Sequence, residues 1–371
     1  MSSGDQLRAR NTAVCFEALR ELGTATASDM REATGLSRPT AQAILRSLVE
    51  RSLASVTEAA PAAGPGRPGE CYAFEPAAKV ACIDLTPESL GIALADLTGT
   101  SREILRRPMG SASQAAAEAP TLIGEAFAPG SPATEVSSIL VSVPGVVDPA
   151  GVLIHSNAFP SYAGREVREV FPLPDGADVV VENTVNMAAL AESRVGAARG
   201  HDNVILAHLQ GGMKAGIMTD GRLYRGSRFA AGEGSYLALP SHAARAGMLS
   251  RLNLLLDTGL NDHERAAVLG DIAEMIAPML AVMTTTLDPS LVVLTGPDSR
   301  AGAALLEPLR ARLAEHFTKV EPPPLVLSEL DADGPMIGGL IAAIENLTTR
   351  LLEGYCPPAP TPVIERVKEK R

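Results

Sequence analysis

Aromatic side chains are scarce in this chain of 371 residues. Tryptophan is absent, and phenylalanine and tyrosine together make up 3% of the sequence. Proteins that bind single-stranded nucleic acid or extended sugar chains commonly stack bases or sugar rings on exposed aromatic side chains. The composition therefore argues against both kinds of stacking surface.

Positive charge is also in short supply. The chain has 32 lysine and arginine residues against 43 aspartate and glutamate residues, which gives a net charge of -11. This balance excludes a generally basic coat for nucleic acid and an electrostatic preference for anionic membranes. Any contact with DNA must therefore come from a local patch and not from the field of the whole molecule.

Cysteines and long apolar runs are few as well. The four cysteines lie far apart and form no CxxC pair, so they predict reduced thiols in a cytoplasmic protein and no zinc site. The first ten residues are polar, which is unlike a signal peptide. No apolar run reaches the roughly 18 residues that a membrane helix needs, and we expect no membrane partner.

Helical patterns dominate residues 11–57, where apolar residues recur at helical spacing in three stretches. Gly23 ends the first stretch, and Gly35 allows a sharp turn after the second. Ser37 is the expected N-cap of the third helix, with Pro39 in its first turn. Short helices around a glycine-containing turn are typical of a helix-turn-helix.

Residues 53–56 and 71–74 can form two strands of a wing beside these helices. The segment between them is rich in Ala, Pro and Gly and includes Gly66-Arg67-Pro68-Gly69. An arginine held between Gly and Pro on an extended backbone can enter a DNA minor groove. The sequence therefore predicts a winged helix-turn-helix domain over residues 1–78, with a Gly-Arg-Pro wing or linker.

In a helix-turn-helix, exposed residues early in the last helix meet base edges in the major groove. The side chains expected to contact DNA are Ser37, Arg38, Thr40, Gln42, Arg46 and, in the minor groove, Arg67. Arginine suits guanine and glutamine suits adenine. Residues 1–80 hold nine basic and nine acidic residues, so this module is neutral. The alternative is a three-helix bundle for protein contact, with solvated arginines.

From residue 79 onward the pattern changes to alternating strands and helices. This alternation is typical of an α/β fold with sites at the carboxyl ends of its strands. Strands are predicted at 80–85, 91–97, 138–143, 179–181, 204–209, 291–295 and 325–327. Helices are predicted at 185–199, 242–256, 263–287, 301–317 and 335–351. We expect a second domain over 79–356, followed by a Pro-rich and charged tail, 357–371, that is disordered.

A series of short motifs follows in a fixed order along the chain. They are Gly35-Leu-Ser-Arg-Pro-Thr40, Gly66-Arg67-Pro68, Val143-Pro-Gly-Val-Val-Asp148, Ser156-Asn157, Val181-Glu-Asn183, Ala215-Gly216, Asp220-Gly-Arg-Leu-Tyr-Arg-Gly226 and Ala231-Gly-Glu233. Together they resemble the ROK family of repressors and sugar kinases, specifically its transcriptional regulators, over nearly all of residues 11–351. The resemblance implies a winged helix-turn-helix joined to a two-lobed, actin-like, sugar-kinase-like domain. It also implies a homodimer or homotetramer, and a last helix, near 335–351, that returns to the first lobe.

The motifs that bind ATP in the sugar kinases of this family are altered here. The family's first phosphate loop has an Asp followed by Gly-Gly-Thr, whereas Asp84 is followed by Leu-Thr-Pro-Glu-Ser. Pro87 removes a backbone donor and Glu88 adds repulsive charge. In the second loop Lys214 occupies a glycine position, where it either binds an anionic effector or fills the vacant loop. These departures predict that ATP is not a cofactor.

The catalytic position differs as well. Kinases of the family remove a proton from the sugar with the Asp of an Asn-Asp pair, which reads Asn183-Thr184 in this chain. A neutral threonine cannot act as a general base near pH 7, so we expect no catalytic residue. Tyr236 replaces the family's sugar-contacting, zinc-supporting histidine, and residues 237–256 contain no cysteine. The family's zinc is therefore predicted to be lost.

A reduced sugar pocket remains. Its candidate ligand-binding residues are Asn157, Asn183, Glu233 and Tyr236, although the asparagines can instead cap turns and Glu233 can cap or face solvent. The sequence predicts a DNA-binding transcriptional regulator that binds a double-stranded operator. Repression of sugar uptake or metabolism genes is the expected role, with an inactive kinase-like domain that senses a sugar or sugar derivative. The alternatives are a bifunctional ATP-dependent sugar kinase and regulator, and a ligand-free regulator whose kinase-like part only oligomerises.

Overall fold

The computed structural model describes residues 3–57, 70–210, 213–234, 260–296, 303–352 and 363–365. Three predicted features lie outside these residues: the Gly66-Arg67-Pro68-Gly69 segment, Tyr236, and the helix expected at 242–256. The side chains described below belong to the described ranges.

Three helices and a three-stranded antiparallel sheet form the N-terminal unit. The helices are α1 (Ser3–Leu22), α2 (Ala27–Thr34) and α3 (Arg38–Glu50), and the strands are β1 (Thr24–Thr26), β2 (Ser55–Thr57) and β3 (Cys71–Ala73), paired in the order β1-β3-β2. Phe16, Leu45 and Tyr72 are fully buried between the helices and the sheet. Helix α1 begins well before residue 11, where the helical pattern starts.

The caps of these helices are the ones expected from the sequence. Gly35 ends α2 in the left-handed region, with φ at +72°. The Ser37 hydroxyl accepts a hydrogen bond from the N–H of Thr40 at 3.3 Å, and Pro39 lies in the first turn of α3. A side-chain acceptor satisfies a donor that a helix start leaves open, so local chemistry alone positions the beginning of α3.

The first large sheet has six strands. They are β4 (Lys79–Leu85), β5 (Ser89–Asp96), β6 (Thr100–Pro108), β7 (Ser138–Val143), β10 (Asp178–Asn183) and β16 (Val363–Glu365), in the order β10-β7-β4-β5-β6-β16. Strands β8 (Val146–Val147) and β9 (Leu153–His155) form a separate hairpin, and helices α4 (Ala112–Ala126) and α5 (Val167–Val170) precede β7 and β10 respectively. Alanines and Ile123 of α4 cover one face of this sheet.

The second large sheet has five strands. They are β11 (Val204–Leu209), β12 (Met213–Thr219), β13 (Arg222–Leu223), β14 (Leu291–Thr295) and β15 (Leu325–Leu327), in the order β13-β12-β11-β14-β15. Helices α7 (Asp262–Leu287) and α8 (Ala303–Glu315) cover its outer face. Apart from β16, which adds to the edge of the first sheet, both sheets have three antiparallel strands followed by two parallel ones in the same order. The two sheets therefore share one five-stranded topology, although the sequence shows no short tandem repeat.

Helices α6 (Thr184–Val195) and α9 (Gly334–Leu351) pack against each other between the two sheets. Helix α6 leaves the first sheet and packs on β12 of the second, whereas α9 returns to β4 and β7 of the first, as the resemblance implies. The helices approach so closely that a Cβ atom at Gly338 would lie 1.9 Å from the carbonyl oxygen of Met187. The helix crossing therefore requires a glycine at position 338.

Several parts of this architecture differ from the expectations. The sequence predicts neither α4 nor β6, because α4 buries mainly small alanines and β6 carries several charges. It also does not predict β12 or the short elements β1, β8, β9, β13 and α5. The prediction of disorder over 357–371 is wrong for Val363–Glu365, which pair in parallel with β6. Val363 and Ile364 favour extended backbone, and β6 has a free edge to accept them.

Helix α7 is long and apolar enough to cross a membrane by length and composition, although no apolar run predicted a span. Its side chains Ile272, Ala273, Ile276 and Leu280 are buried against the second sheet. Buried helices in the cores of water-soluble proteins meet the same criterion of length and composition.

Candidate functional site

A cavity of about 270 Å³ opens between the two sheets. Its walls come from the loop after β4, the turn after β7, the first residues of α6, the end of β11 and the start of α9. Carboxyl ends of strands and helix N-termini thus meet at this cleft, as expected for sites in α/β folds. The lining includes Asp84, Glu88, Thr184, Gln210 and Lys214.

Three buried polar side chains form a connected group at one wall of this cavity. The Ser142 hydroxyl donates to Asp84 Oδ1 at 2.8 Å, and the hydroxyls of Ser142 and Thr184 lie 3.2 Å apart. Burial raises the pKa of Asp84 to about 6, although the hydrogen bond from Ser142 and the charge of Arg106 act in the opposite direction. Thr184, which stands at the position that the resemblance assigns to the catalytic aspartate of the kinases, thus belongs to this buried group.

The charges around the cleft oppose a polyphosphate. Asp84, Glu88 and Asp331 are acidic, and Lys214 is the one lysine or arginine among the described residues that line the cavity. Burial, with a smaller contribution from the charge of Lys214, lowers the pKa of His208 to about 4, although the hydrogen bond with Gln210 acts in the opposite direction. This imidazole is therefore neutral at pH 7. Pro87 at the rim has no N–H to offer a phosphate oxygen. The residues present therefore do not fit a bound ATP.

The two altered phosphate loops contact each other across the cleft. The Gln210 side chain donates from Nε2 to Glu88 Oε1 at 2.8 Å. Glu88 follows β4 of the first sheet, whereas Gln210 follows β11 of the second. This hydrogen bond joins the two lobes at the mouth of the cavity.

Asn183 and Glu233, which the sequence places in a sugar pocket, are in direct contact. Asn183 Nδ2 donates to Glu233 Oε1 at 2.7 Å and to the carbonyl oxygen of Gly145 at 2.6 Å. Asn183 Oδ1 accepts from the N–H of Val185 at 2.7 Å, so the side chain caps α6. Every donor and acceptor of this amide side chain is therefore engaged within the protein.

Glu233 has spare hydrogen-bonding capacity. Its Oε2 atom is buried and has no hydrogen-bond partner among the described residues. Burial raises the pKa of Glu233, while the positive charge of Lys214 and the hydrogen bond from Asn183 act in the opposite direction. A buried carboxylate oxygen without a donor is costly, and a ligand hydroxyl would satisfy it.

Asn157 lies nearby but is less constrained. It is exposed after β9, and its Oδ1 lies 3.3 Å from Nε2 of His155. The charge of His155 acts to lower the pKa of Glu233, against the larger effect of burial. The neighbouring Ser156 is buried, and its hydroxyl donates to the carbonyl oxygen of Pro144 at 2.6 Å. The structure thus brings Asn183 and Glu233 into contact, with Asn157 exposed at the surface. None of these three residues lines the cleft cavity, and His155 does not line it either.

A second candidate surface lies on α3 of the N-terminal unit. Ser37 and Thr40 are engaged with each other, because their hydroxyl oxygens lie 2.8 Å apart. Arg38 is exposed, and its side chain has no hydrogen bond or ion pair with any described residue. Arg38, Gln42 and Arg46 follow one another at four-residue spacing and therefore share one face of the helix.

Glu70, for which the sequence predicts no role, accepts hydrogen bonds from Gln42 and Arg46. Glu70 Oε2 accepts from Tyr72 at 2.6 Å, from Arg46 at 3.2 Å and from Gln42 at 3.4 Å. The hydrogen bond from Tyr72, together with Arg46, lowers the pKa of Glu70. Glu70 lies 24 residues from Arg46 along the chain, and no local sequence signal connects the two.

The donor set for the family's zinc does not fit this chain. The cysteines are Cys15, Cys71, Cys82 and Cys356, and none lies between Tyr236 and residue 256. Structural zinc sites depend on thiolate and imidazole ligands. Within the part of the chain that the structure describes, no group of three His, Cys, Asp or Glu side chains is placed to hold a metal ion.

Both sugar kinases and regulators resemble this chain. A beta-glucoside kinase from Listeria monocytogenes is 34% identical over 105 residues, which are 28% of this chain and 36% of that protein. The chain therefore spans little more than a third of that relative's length. A ROK family transcriptional regulator, a homolog of the E. coli MLC protein, has a TM-score of 0.66 at 20% identity and covers 94% of this chain and 100% of its own.

A ROK family glucokinase from Streptomyces griseus, solved with glucose and AMPPNP, has a TM-score of 0.59 at 20% identity. It covers 71% of this chain and 99% of its own. At such identities the solved structures show the shared fold, a mixed α/β architecture with sugar kinases among its neighbours. Residues 80–247 match the ROK family directly, and the chain therefore contains a ROK family domain.

Proposed function

We propose that this protein is a cytoplasmic, DNA-binding transcriptional regulator, most simply a repressor of sugar uptake or metabolism genes. Residues 1–78 form the winged helix-turn-helix domain, and residues 79–356 form the effector and oligomerisation domain. The shape of the N-terminal unit supports this proposal, because three helices and a small antiparallel sheet are the parts of a winged helix.

The arrangement of α3 carries the proposal. Its buried face consists of Ala41, Ile44, Leu45 and Leu48, so Arg38, Gln42 and Arg46 lie outside the core. Arg38 is available to a partner, whereas Gln42 and Arg46 must first leave Glu70. Arginine and glutamine are the side chains that read guanine and adenine in the major groove. A symmetric dimer would place two such helices on the halves of a pseudo-palindromic operator.

The effector domain is proposed to bind a sugar or sugar derivative without phosphorylating it. Glu233 Oε2 and the exposed Asn157 offer hydrogen-bonding capacity, and Tyr236 and Arg67 are proposed to contribute to the sugar site and to the minor groove. An effector that binds between the lobes would change DNA binding only if its affinities for the open and closed states of the effector domain differ. Thr184 and the acidic cleft support the absence of catalysis.

Selection of genomic fragments with the full chain tests DNA binding and identifies the operator. On that operator, we expect Arg38→Ala to weaken binding by at least tenfold, because a good bidentate contact to a base contributes about 1–3 kcal/mol. The matched control is Arg107→Ala, which removes an exposed arginine from β6 of the first sheet. If no fragment is enriched, or if both variants bind equally well, the proposal is refuted.

A sugar kinase is the second candidate, because Asp84 is retained and lines a cleft between the lobes. Release of ADP from ATP in the presence of a panel of sugars distinguishes the two. The regulator proposal predicts no sugar-dependent ADP release. Sugar-dependent release that Asp84→Asn abolishes would establish the kinase instead.

A further inference from the structure

A second cavity, of about 310 Å³, lies away from the cleft. It shares no lining residue with the cleft cavity and is bounded by β7, β10, α6, β13 and α9. Its volume lies in the range of sites for small organic ligands. None of the functions described above uses this cavity.

The inner part of this second cavity is apolar. Leu140 of β7 and Met187 and Leu190 of α6 line it, and all three side chains are buried. Ala342 of α9 completes this part. An apolar floor favours a ligand with a hydrocarbon portion, because contact with these side chains removes apolar surface from water.

The outer part of the cavity is rich in arginine. Arg194, Arg222 and Arg225 line it, together with two glutamates, so the charged lining residues give a net charge of +1. Arg225 pairs with Glu182, and Arg194 pairs with Glu345 at 3.4 Å. Two of the three guanidinium groups are therefore already neutralised by carboxylates.

Arg222 is the exception. Its backbone pairs with Thr219 of β12, but its side chain is exposed and forms no hydrogen bond or ion pair with any residue of the described ranges. A guanidinium group offers paired donors in the geometry that a carboxylate or phosphate accepts. The unpaired arginine lies at the rim of a pocket whose floor is apolar, and this combination defines the chemistry of the ligand.

We propose that this cavity binds a small organic anion, with its carboxylate on Arg222 and its hydrocarbon portion on Leu140, Met187 and Leu190. The site is distinct from the cleft between the lobes and does not depend on DNA binding. Arg225 has a different task. It holds Glu182, whose Oε1 accepts from the backbone N–H of Asn183 and from Asn186 Nδ2, both at 2.9 Å, and it thereby supports the start of α6.

Calorimetric titration of the full chain with hexanoate tests the proposal, with hexanol and inorganic phosphate as comparison ligands. We expect hexanoate to bind at least tenfold more tightly than either, because only hexanoate has both a charge for Arg222 and a chain for the floor. Equal binding of hexanol would refute the role of the arginine. Equal binding of phosphate would refute the role of the apolar floor.

Three variants locate the site. Arg222→Ala is expected to weaken hexanoate binding by tenfold or more, whereas Arg228→Ala, which removes another exposed arginine nearby, is expected to leave it unchanged. Ala342→Leu fills the cavity and should also abolish binding, with a melting temperature by circular dichroism that shows an intact fold. If Arg222→Ala and Arg228→Ala behave alike, or if Ala342→Leu still binds, hexanoate is not bound in this cavity.

Discussion

Replacement of Asp84 by asparagine should stabilise the protein near neutral pH. Asp84 is 7% exposed and lies at the end of β4, where Ser142 Oγ donates to its carboxyl group. Burial raises its pKa from 3.8 to about 6, so the folded protein carries a charge here that the unfolded chain would hold at lower cost. Asparagine keeps an acceptor for Ser142 and removes that charge.

The magnitude follows from the pKa difference. A shift of about two units corresponds to about 3 kcal/mol, at about 1.36 kcal/mol per unit. A raised pKa means that the folded state binds the proton more tightly, so this group's unfavourable contribution is absent below pH ~4, grows between pH ~4 and ~6, and is complete above pH ~6. Asp84→Asn should therefore raise the free energy of unfolding by about 3 kcal/mol at pH 7.5 and by about half as much at pH 5.

Urea unfolding followed by circular dichroism measures this difference for wild type and variant at both pH values. Asp175→Asn is the control, because Asp175 is an exposed aspartate in the loop before β10. It should change stability little at either pH. A gain for Asp84→Asn that is equal at pH 5 and pH 7.5, or a loss at both, would contradict the argument that burial of a charge is its cause.

Two further changes test other parts of the molecule. Glu70→Gln removes the carboxylate that pairs with Arg46 and so frees this arginine for a DNA phosphate. We expect tighter operator binding and a salt dependence that is steeper by roughly one unit of slope, measured in gel shifts at several salt concentrations. Weaker binding would refute this expectation and make Glu70 a positioning residue for Arg46. Gly232→Ala should lower the free energy of unfolding by about 3 kcal/mol or more, because φ is +80° and the new Cβ would lie 1.8 Å from the carbonyl oxygen of Ala215. Gly164→Ala, with φ at +77° in open space, should cost only about 1–2 kcal/mol, and equal losses in urea unfolding would refute the steric argument.

Buried strands and helix caps were predictable because their signals are local. The strands at 138–143, 204–209, 291–295 and 325–327 have the bounds expected from continuous apolar runs. Ser37 and Pro39 located the start of α3 in the same way. Helix α4 was not predicted, because buried alanines such as Ala115 and Ala119 give little hydrophobic contrast with their neighbours.

Pairings across long sequence distances were not predictable. Ser142 lies 58 positions from Asp84 and 42 positions from Thr184 along the chain. The weak sign of this group in the sequence is Ser142 itself, a polar residue between the valines of strand β7. Nothing in the sequence distinguishes Arg222 from other exposed arginines, because the cavity beside it forms only when α6, α9 and β13 pack together. The sequence predicts a ligand-binding role for Asn183, and the same side chain also caps α6 and donates to Glu233, a pairing that no local pattern indicates.

The sequence by itself determined the local chemistry of this protein: which runs are buried, where helices begin, and which residue types stand at the altered phosphate loops and at Thr184. Those features depend on neighbouring residues and on side-chain chemistry, which a sequence states directly. Only the tertiary structure decided that the two sheets share one topology, that Gln210 donates a hydrogen bond to Glu88 across the cleft, and that Glu70 forms an ion pair with Arg46. Such contacts exist only after packing brings distant segments together, because each is set by the whole arrangement of helices and sheets and not by any one segment.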